Sequence, residues 1–142
     1  MLMVMCRNCH KNLTGYQKKY CSNQCQKDNE YHLYIQAWRK GDLSGSRGVR
    51  TKNFSGYVIR YLRETYGAAC SQCGWNGINP VTGKSPLELD HIDGDPENNK
   101  EENLRLLCPN CHSLTPTYKN LNFGNGRVWR REKYVKIAKL PL

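Results

Sequence analysis

Leu87-Glu88-Leu89-Asp90-His91-Ile92-Asp93-Gly94 and Glu102-Asn103-Leu104-Arg105-Leu106-Leu107-Cys108-Pro109-Asn110-Cys111-His112 decide how this chain folds. Apolar and polar residues alternate from Leu87 to Ile92, the period of a half-buried strand. Gly94 and Pro96 mark the following residues, Asp93 to Asn99, as a turn-rich loop. Leu104 to Cys108 reads as a second strand. Pro109 suits the first position of a helix, where its fixed φ fits and its missing N–H is not needed. That helix carries Cys111 and His112, and Pro116 ends or bends it. The order is strand, loop, strand, helix. Adjacent residues of a strand face opposite sides, so Asp90 and His91 can serve one site only where the strand ends beside them.

Outward from this stretch, the cysteines come in close pairs. They are Cys6 and Cys9, Cys21 and Cys25, Cys70 and Cys73, and Cys108 and Cys111, and together they account for all eight in the chain. A tight turn between paired cysteines aims two sulfurs at one ion, so two pairs complete a tetrahedral zinc site. Two structural zinc ions are therefore expected, one on Cys6, Cys9, Cys21 and Cys25, the other on Cys70, Cys73, Cys108 and Cys111. The competing account, four disulfides, calls for an oxidising compartment. The apolar stretch from Met1 to Met5 is too short for a signal peptide and lacks a charged flank. An intracellular, cytoplasmic location is expected.

Composition agrees with a small, metal-stapled α+β protein. The chain has 142 residues, 38% of them hydrophobic, with a mean hydropathy of −0.79. A core of that kind is too small to stabilise itself without a staple. No run approaches the ~18 or more apolar residues of a membrane span. The net charge is +10, yet seven of the twelve acids lie between Glu88 and Glu102, a stretch whose single base is Lys100. From charge alone two readings stand: a metal-dependent enzyme acting on a polyanion, whose basic body attracts phosphate while the acidic island holds a cation, or a solvated acidic loop on a basic protein. Asp93, Asp95 and Glu97 are read as solvated loop residues, and His10 and His32 receive no function.

Two helices precede the second cysteine set. Tyr31, Tyr34, Ile35 and Trp38 mark one face of a helix over about Asn23 to Lys40, which Gly41 stops. Val58, Ile59, Leu62 and Tyr66 form the stripe of another from Ser55 to Tyr66, with Ser55 as its N-cap and Gly67 after it. These aromatic stripes are read as core. Gly41 to Gly48 is rich in Gly and Ser and reads as a linker, basic at its far end through Arg47, Arg50 and Lys52.

The quoted residues, bracketed by cysteine pairs, resemble the HNH endonuclease family over about Cys70 to Leu114. The resemblance implies a ββα-metal core related to treble-clef zinc fingers, hydrolysing phosphodiester bonds of double-stranded DNA. It implies that His91 is the general base that activates water. Asp90 and His112 would hold one catalytic divalent metal, for which Mg2+, Mn2+, Ni2+ and Zn2+ all suit a carboxylate and an imidazole. Asn103 would pin the hairpin loop and help orient His91. Small free-standing members commonly occur in phages and prophages. One such site nicks one strand. The N-terminal unit resembles small zinc fingers ending in a Tyr-Cys-Ser-x-x-Cys turn before a helix, with Arg7, Lys11, Lys18 and Lys19 available to DNA.

The expected organisation is a zinc finger plus helix at 1–41, a basic linker and helix at 42–67, the nuclease domain at 68–124 and a basic tail at 125–142. In the tail, Arg127, Arg130, Arg131 and Lys133 are interleaved with aromatics and are candidate DNA contacts. The rival reading is a non-catalytic DNA-binding zinc protein that retains the HNH fold. The complete Asp-His-Asn-His set argues against it, since binding alone does not need that set.

Overall fold

The structure, a computed structural model, describes residues 4–48 and 53–122. Arg50, Lys52 and the basic tail, with Arg127, Arg130, Arg131 and Lys133, lie outside the described residues. The chain divides into two compact units, Met1–Leu43 and Ser44–Leu142.

The first unit is a cysteine knuckle followed by helix α1, Asn23–Lys40. In the knuckle, Cys6 N–H donates to the Lys11 carbonyl, and His10 N–H donates back to the Cys6 carbonyl. The Ser22 side chain caps α1 by accepting from Cys25 N–H, which ties the second cysteine pair to the helix start. Tyr31, Ile35 and Trp38 are buried at helical spacing on one face. Gly41, at φ 87°, returns its N–H to the last turn, a left-handed cap that glycine takes without a Cβ clash. His10 and His32 are exposed.

The second unit opens on α2, Gly56–Tyr66, capped by the Ser55 hydroxyl, which accepts from Tyr57 N–H. Val58 and Leu62 are its fully buried residues, each contributing about 1.5–3 kcal/mol if exposed in the unfolded chain. Tyr66 does not belong to that buried stripe: it is 63% exposed. Its hydroxyl, with that of Tyr61, donates to Glu101 just before the second strand. A tyrosine can end an apolar stripe because its polar tip finds a partner at the surface.

Strands β1, Glu88–His91, and β2, Leu104–Leu107, form an antiparallel pair, with Glu88 opposite Leu107, Asp90 opposite Arg105 and His91 opposite Leu104. Leu104, Leu106 and Leu107 are buried, and α2 packs against β2. The short helix α3, Pro109–Ser113, packs on both strands. It ends well before Pro116, with Leu114 N–H turning back to Cys111. The knuckle at Cys70 is pinned to β2 because the N–H and hydroxyl of Ser71 both donate to the Leu106 carbonyl.

The Gly/Ser stretch read as a linker is folded into this unit from Ser44 onward. Ser55 N–H donates to the Gly45 carbonyl, Arg47 N–H donates to the Asn53 carbonyl, and Ser46 bridges Phe54 in antiparallel fashion. Small residues make a flexible linker when nothing pairs with their backbone. Here the same residues form a tight strap whose ends are hydrogen-bonded together.

Candidate active site and metal centres

Each cysteine set converges. Cys6, Cys9, Cys21 and Cys25 place their sulfurs within 4.8 Å of one another, and so do Cys70, Cys73, Cys108 and Cys111. All eight are unbridged. The sulfurs of Cys9 and Cys21 are 3.5 Å apart, and those of Cys73 and Cys108 are 3.8 Å apart. Four thiolates at ~2.3 Å from one zinc ion would be separated by about 3.8 Å, so the donor set fits the ion that the sequence implies.

Electrostatics point the same way. Backbone N–H groups, that of Cys9 foremost, bring the Cys6 thiol down to about 6 against the cost of its burial. At Cys70, burial pushes upward, but backbone N–H groups of Cys108, Cys73 and Gln72 prevail, again to about 6. Cys21 is pushed up to about 12, mainly by Cys25 and Cys9, and Cys111 to about 12, mainly by Cys73. Four thiolates repel one another at such range, and a shared divalent cation removes that conflict.

At the hairpin, Asp90, His91 and His112 line one cleft of about 160 Å³, together with Leu89, Gly94, Pro96, Thr117 and Asn122. Adjacent strand residues meet here because His91 is the last residue of β1 and the chain turns immediately after it. Asp90 is buried. Arg105, opposite it on β2, donates from Nε to Asp90 Oδ2 at 2.8 Å. That leaves Oδ1 facing His112 Nε2 at 3.7 Å. The other ring nitrogen, His112 Nδ1, meets the Glu88 carboxylate at 2.5 Å. A carboxylate on Nδ1 places the proton there and leaves Nε2 as a lone pair. A carboxylate oxygen and an imidazole lone pair facing each other, with no proton between them, suit a divalent cation.

His91 faces a different set of neighbours. Its Nε2 lies 2.8 Å from Asn99 Oδ1, and its ring packs on Phe54 with centroids 5.2 Å apart. Asn103 is buried and acts on the loop. Its Nδ2 donates to Asp93 Oδ1 and to the Asn98 carbonyl, and its Oδ1 accepts from Asp93 N–H. Its backbone carbonyl accepts from Ile92 N–H. Asn103 thus sits on the loop that follows His91, while Asn99 is the residue on the imidazole itself. Asp93 is part of this loop frame, not merely a solvated side chain. Partial desolvation would raise its carboxyl, but hydrogen bonds from Asn98, Asp95 N–H and Asn103, with His91 nearby, hold it below the usual range. Asp95 and Glu97 are exposed.

Four residues of this site escape motif reading: Glu88, Asn99, Arg105 and Phe54. Glu88 carries a local signal, since it lies two residues before Asp90 and therefore on the same strand face. Arg105 becomes visible only once the register is known. Asn99 and Phe54 are placed by the strap, for which periodicity gives no sign.

Residues 70–115 match the family model for HNH endonuclease. The H-N-H endonuclease F-TflIV of Escherichia phage T5 is 49% identical over 57 residues, covering 39% of this chain and 23% of that protein. The Zorya protein ZorE of Escherichia coli (strain ATCC 8739 / DSM 1576 / NBRC 3972 / NCIMB 8545 / WDCM 00012 / Crooks) is 31% identical over 81 residues, covering 53% of this chain and 21% of that protein. The chain thus spans less than a quarter of the length of either relative. No solved structure matches it. No helix among the described residues is long and apolar enough to cross a membrane. With a two-stranded hairpin, a following helix, a bracketing set of four cysteines and this sequence match, residues 70–115 are an HNH endonuclease domain.

Proposed function

We propose that this protein is a metal-dependent endonuclease that hydrolyses phosphodiester bonds of double-stranded DNA, cutting one strand per site. The observation that carries this reading is the cleft where Asp90, His91 and His112 meet, each already held by another side chain. His91 takes a proton from the attacking water, a task suited to an imidazole near neutral pH. Asp90 Oδ1 and His112 Nε2 would hold a catalytic divalent metal, whether Mg2+, Mn2+, Ni2+ or Zn2+. When bound, that metal compensates the charge that develops on the departing 3′ oxygen. Arg105 and Glu88 keep the two ligands aimed. Asn103 fixes the loop after His91, so the base does not drift as substrate enters.

Both four-cysteine sets hold structural zinc in this reading. The excess of 22 Lys and Arg over 12 Asp and Glu draws the DNA in. On the first unit, Arg7, Lys18 and Lys19 line one shallow groove suited to a phosphate backbone. Arg127, Arg130, Arg131 and Lys133 would extend the contact. Thiolate zinc sites suit a reducing compartment, and the proposed location is the cytoplasm of a bacterial or phage-infected cell.

Plasmid nicking against metal concentration tests the roles. His91→Ala should lose about 10²–10⁴-fold in rate at every metal concentration, because a lost base is not restored by metal. Asp90→Ala and His112→Ala should need more metal, and excess should return part of the rate. Normal nicking by all three variants would overturn the reading, and so would metal rescue of His91→Ala.

A further inference from the structure

The proposed endonuclease leaves open which nitrogen of His91 is basic and what holds it so. Asn99 is buried at the end of the loop that follows His91, and its amide is committed on both sides. Its Nδ2 donates to the Ser44 carbonyl at 2.8 Å and lies 3.4 Å from Ser46 Oγ. A backbone carbonyl only accepts, so the amide atom facing Ser44 is the NH2 group. The opposite atom, Oδ1, is then the one 2.8 Å from His91 Nε2, and an amide oxygen only accepts. The contact therefore requires the proton on Nε2, which leaves Nδ1 as the basic nitrogen of the neutral ring.

We infer that Asn99 is a positioning residue for the reaction and that the Ser44–Ser46 strap sets its orientation, together fixing His91 as the Nε2–H tautomer with Nδ1 as the base. This rests on His91 being the general base. The strap is itself anchored: Ser55 N–H holds the Gly45 carbonyl, and Ser46 bridges Phe54, whose ring covers one side of the His91 imidazole. One short segment thus supplies the carbonyl that turns the amide and, through Phe54, the surface that limits ring tilt. The stretch whose composition suggests a spacer is, in this account, a support of the catalytic base. A carboxylate does for His112 what an amide does for His91. The difference is chemically apt, because a neutral partner fixes the tautomer without adding negative charge beside an incoming phosphate.

Nitrogen NMR of isotope-labelled, metal-loaded full-length protein tests this, with four histidines to assign. In its neutral form, wild-type His91 should show a protonated Nε2 and an unprotonated Nδ1. A proton on Nδ1 overturns the inference, whether or not the protein cuts DNA, so failure of the nuclease reading is recognised separately. Asn99→Leu should lower kcat about 10–100-fold with KM little changed and should broaden or mix the His91 tautomer signals. Asn99→Asp keeps an acceptor for Nε2 but loses the donor that the Ser44 carbonyl orients, so it should recover kcat only in part, and full recovery would show that the strap does not set the side chain. The His112 signals serve as the control for an intact fold. Wild-type kcat in Asn99→Leu, with the tautomer unchanged, would also overturn the inference.

Discussion

Glu88 and Asp90, two positions apart on β1, reach the same imidazole from its two nitrogens, at 2.5 and 3.7 Å. The first accepts from His112 Nδ1–H, and the second faces Nε2 across the gap proposed for the cation. Removing the charge of Glu88 while keeping its shape should therefore weaken metal holding without touching the base. Glu88→Gln is expected to raise the metal concentration for half-maximal cleavage about 10–100-fold and to approach the wild-type rate at saturation. Titration of metal into the variant, followed by cleavage rate, is the measurement, and an unchanged metal requirement would show that Glu88 does not serve His112. Asp90, His91, Asn103 and His112 are legible in sequence because they fall inside one dense motif. Glu88 is half legible, through strand periodicity. Asn99 is not, because what turns its amide is Ser44, more than fifty positions earlier, and no local pattern connects them.

Among the elements, the loop between β1 and β2 sets how tightly the cleft is closed. Gly94 sits at φ 76°, a conformation that costs an L-residue roughly 1–2 kcal/mol. A Cβ there would also lie 2.5 Å from Thr117 Cγ2 and 2.9 Å from Asn122 Oδ1. Asn122 in turn donates to the Gly94 carbonyl at 2.7 Å, clasping the loop to the segment after α3. Gly94→Ala should therefore part the loop from Thr117 and Asn122, lower Tm by several degrees and reduce cleavage. A thermal melt and a nicking assay check it, and an unchanged Tm would mean that the clasp carries no stability. The limits of α1, α2, β1 and β2 were legible to within about a residue, because capping and alternation act locally. The strap was not. Gly and Ser report only that a backbone can bend, and whether its ends pair depends on partners the composition does not reveal.

At the scale of the whole molecule, the chain is two small units, each with its own four-cysteine set and a modest apolar core. In the first, Tyr31, Ile35 and Trp38 are the buried residues of α1; in the second, Val58, Leu62, Leu104, Leu106 and Leu107 lead. Cores of this size leave little net stability, so most of the folding free energy should come from the metal sites. The paired cysteines were legible because ligand spacing is a local property. The expected end of the first unit, Gly41, lies close to the division at Leu43 and Ser44, but which unit the strap joins was not legible, since that depends on what its backbone pairs with. Separate metal sites in separate units should fail separately. Elemental analysis of protein purified without chelator should find two zinc ions per chain. Cys70→Ser should retain one, unfold the HNH unit and abolish cleavage, while limited proteolysis still leaves the Met1–Leu43 unit protected. Cys9→Ser should also retain one, lose protection in the first unit and keep the His91 cleft folded. Loss of both ions from either single variant would show that the two units do not fold independently, and zinc-free protein with four disulfides would remove the metal sites altogether.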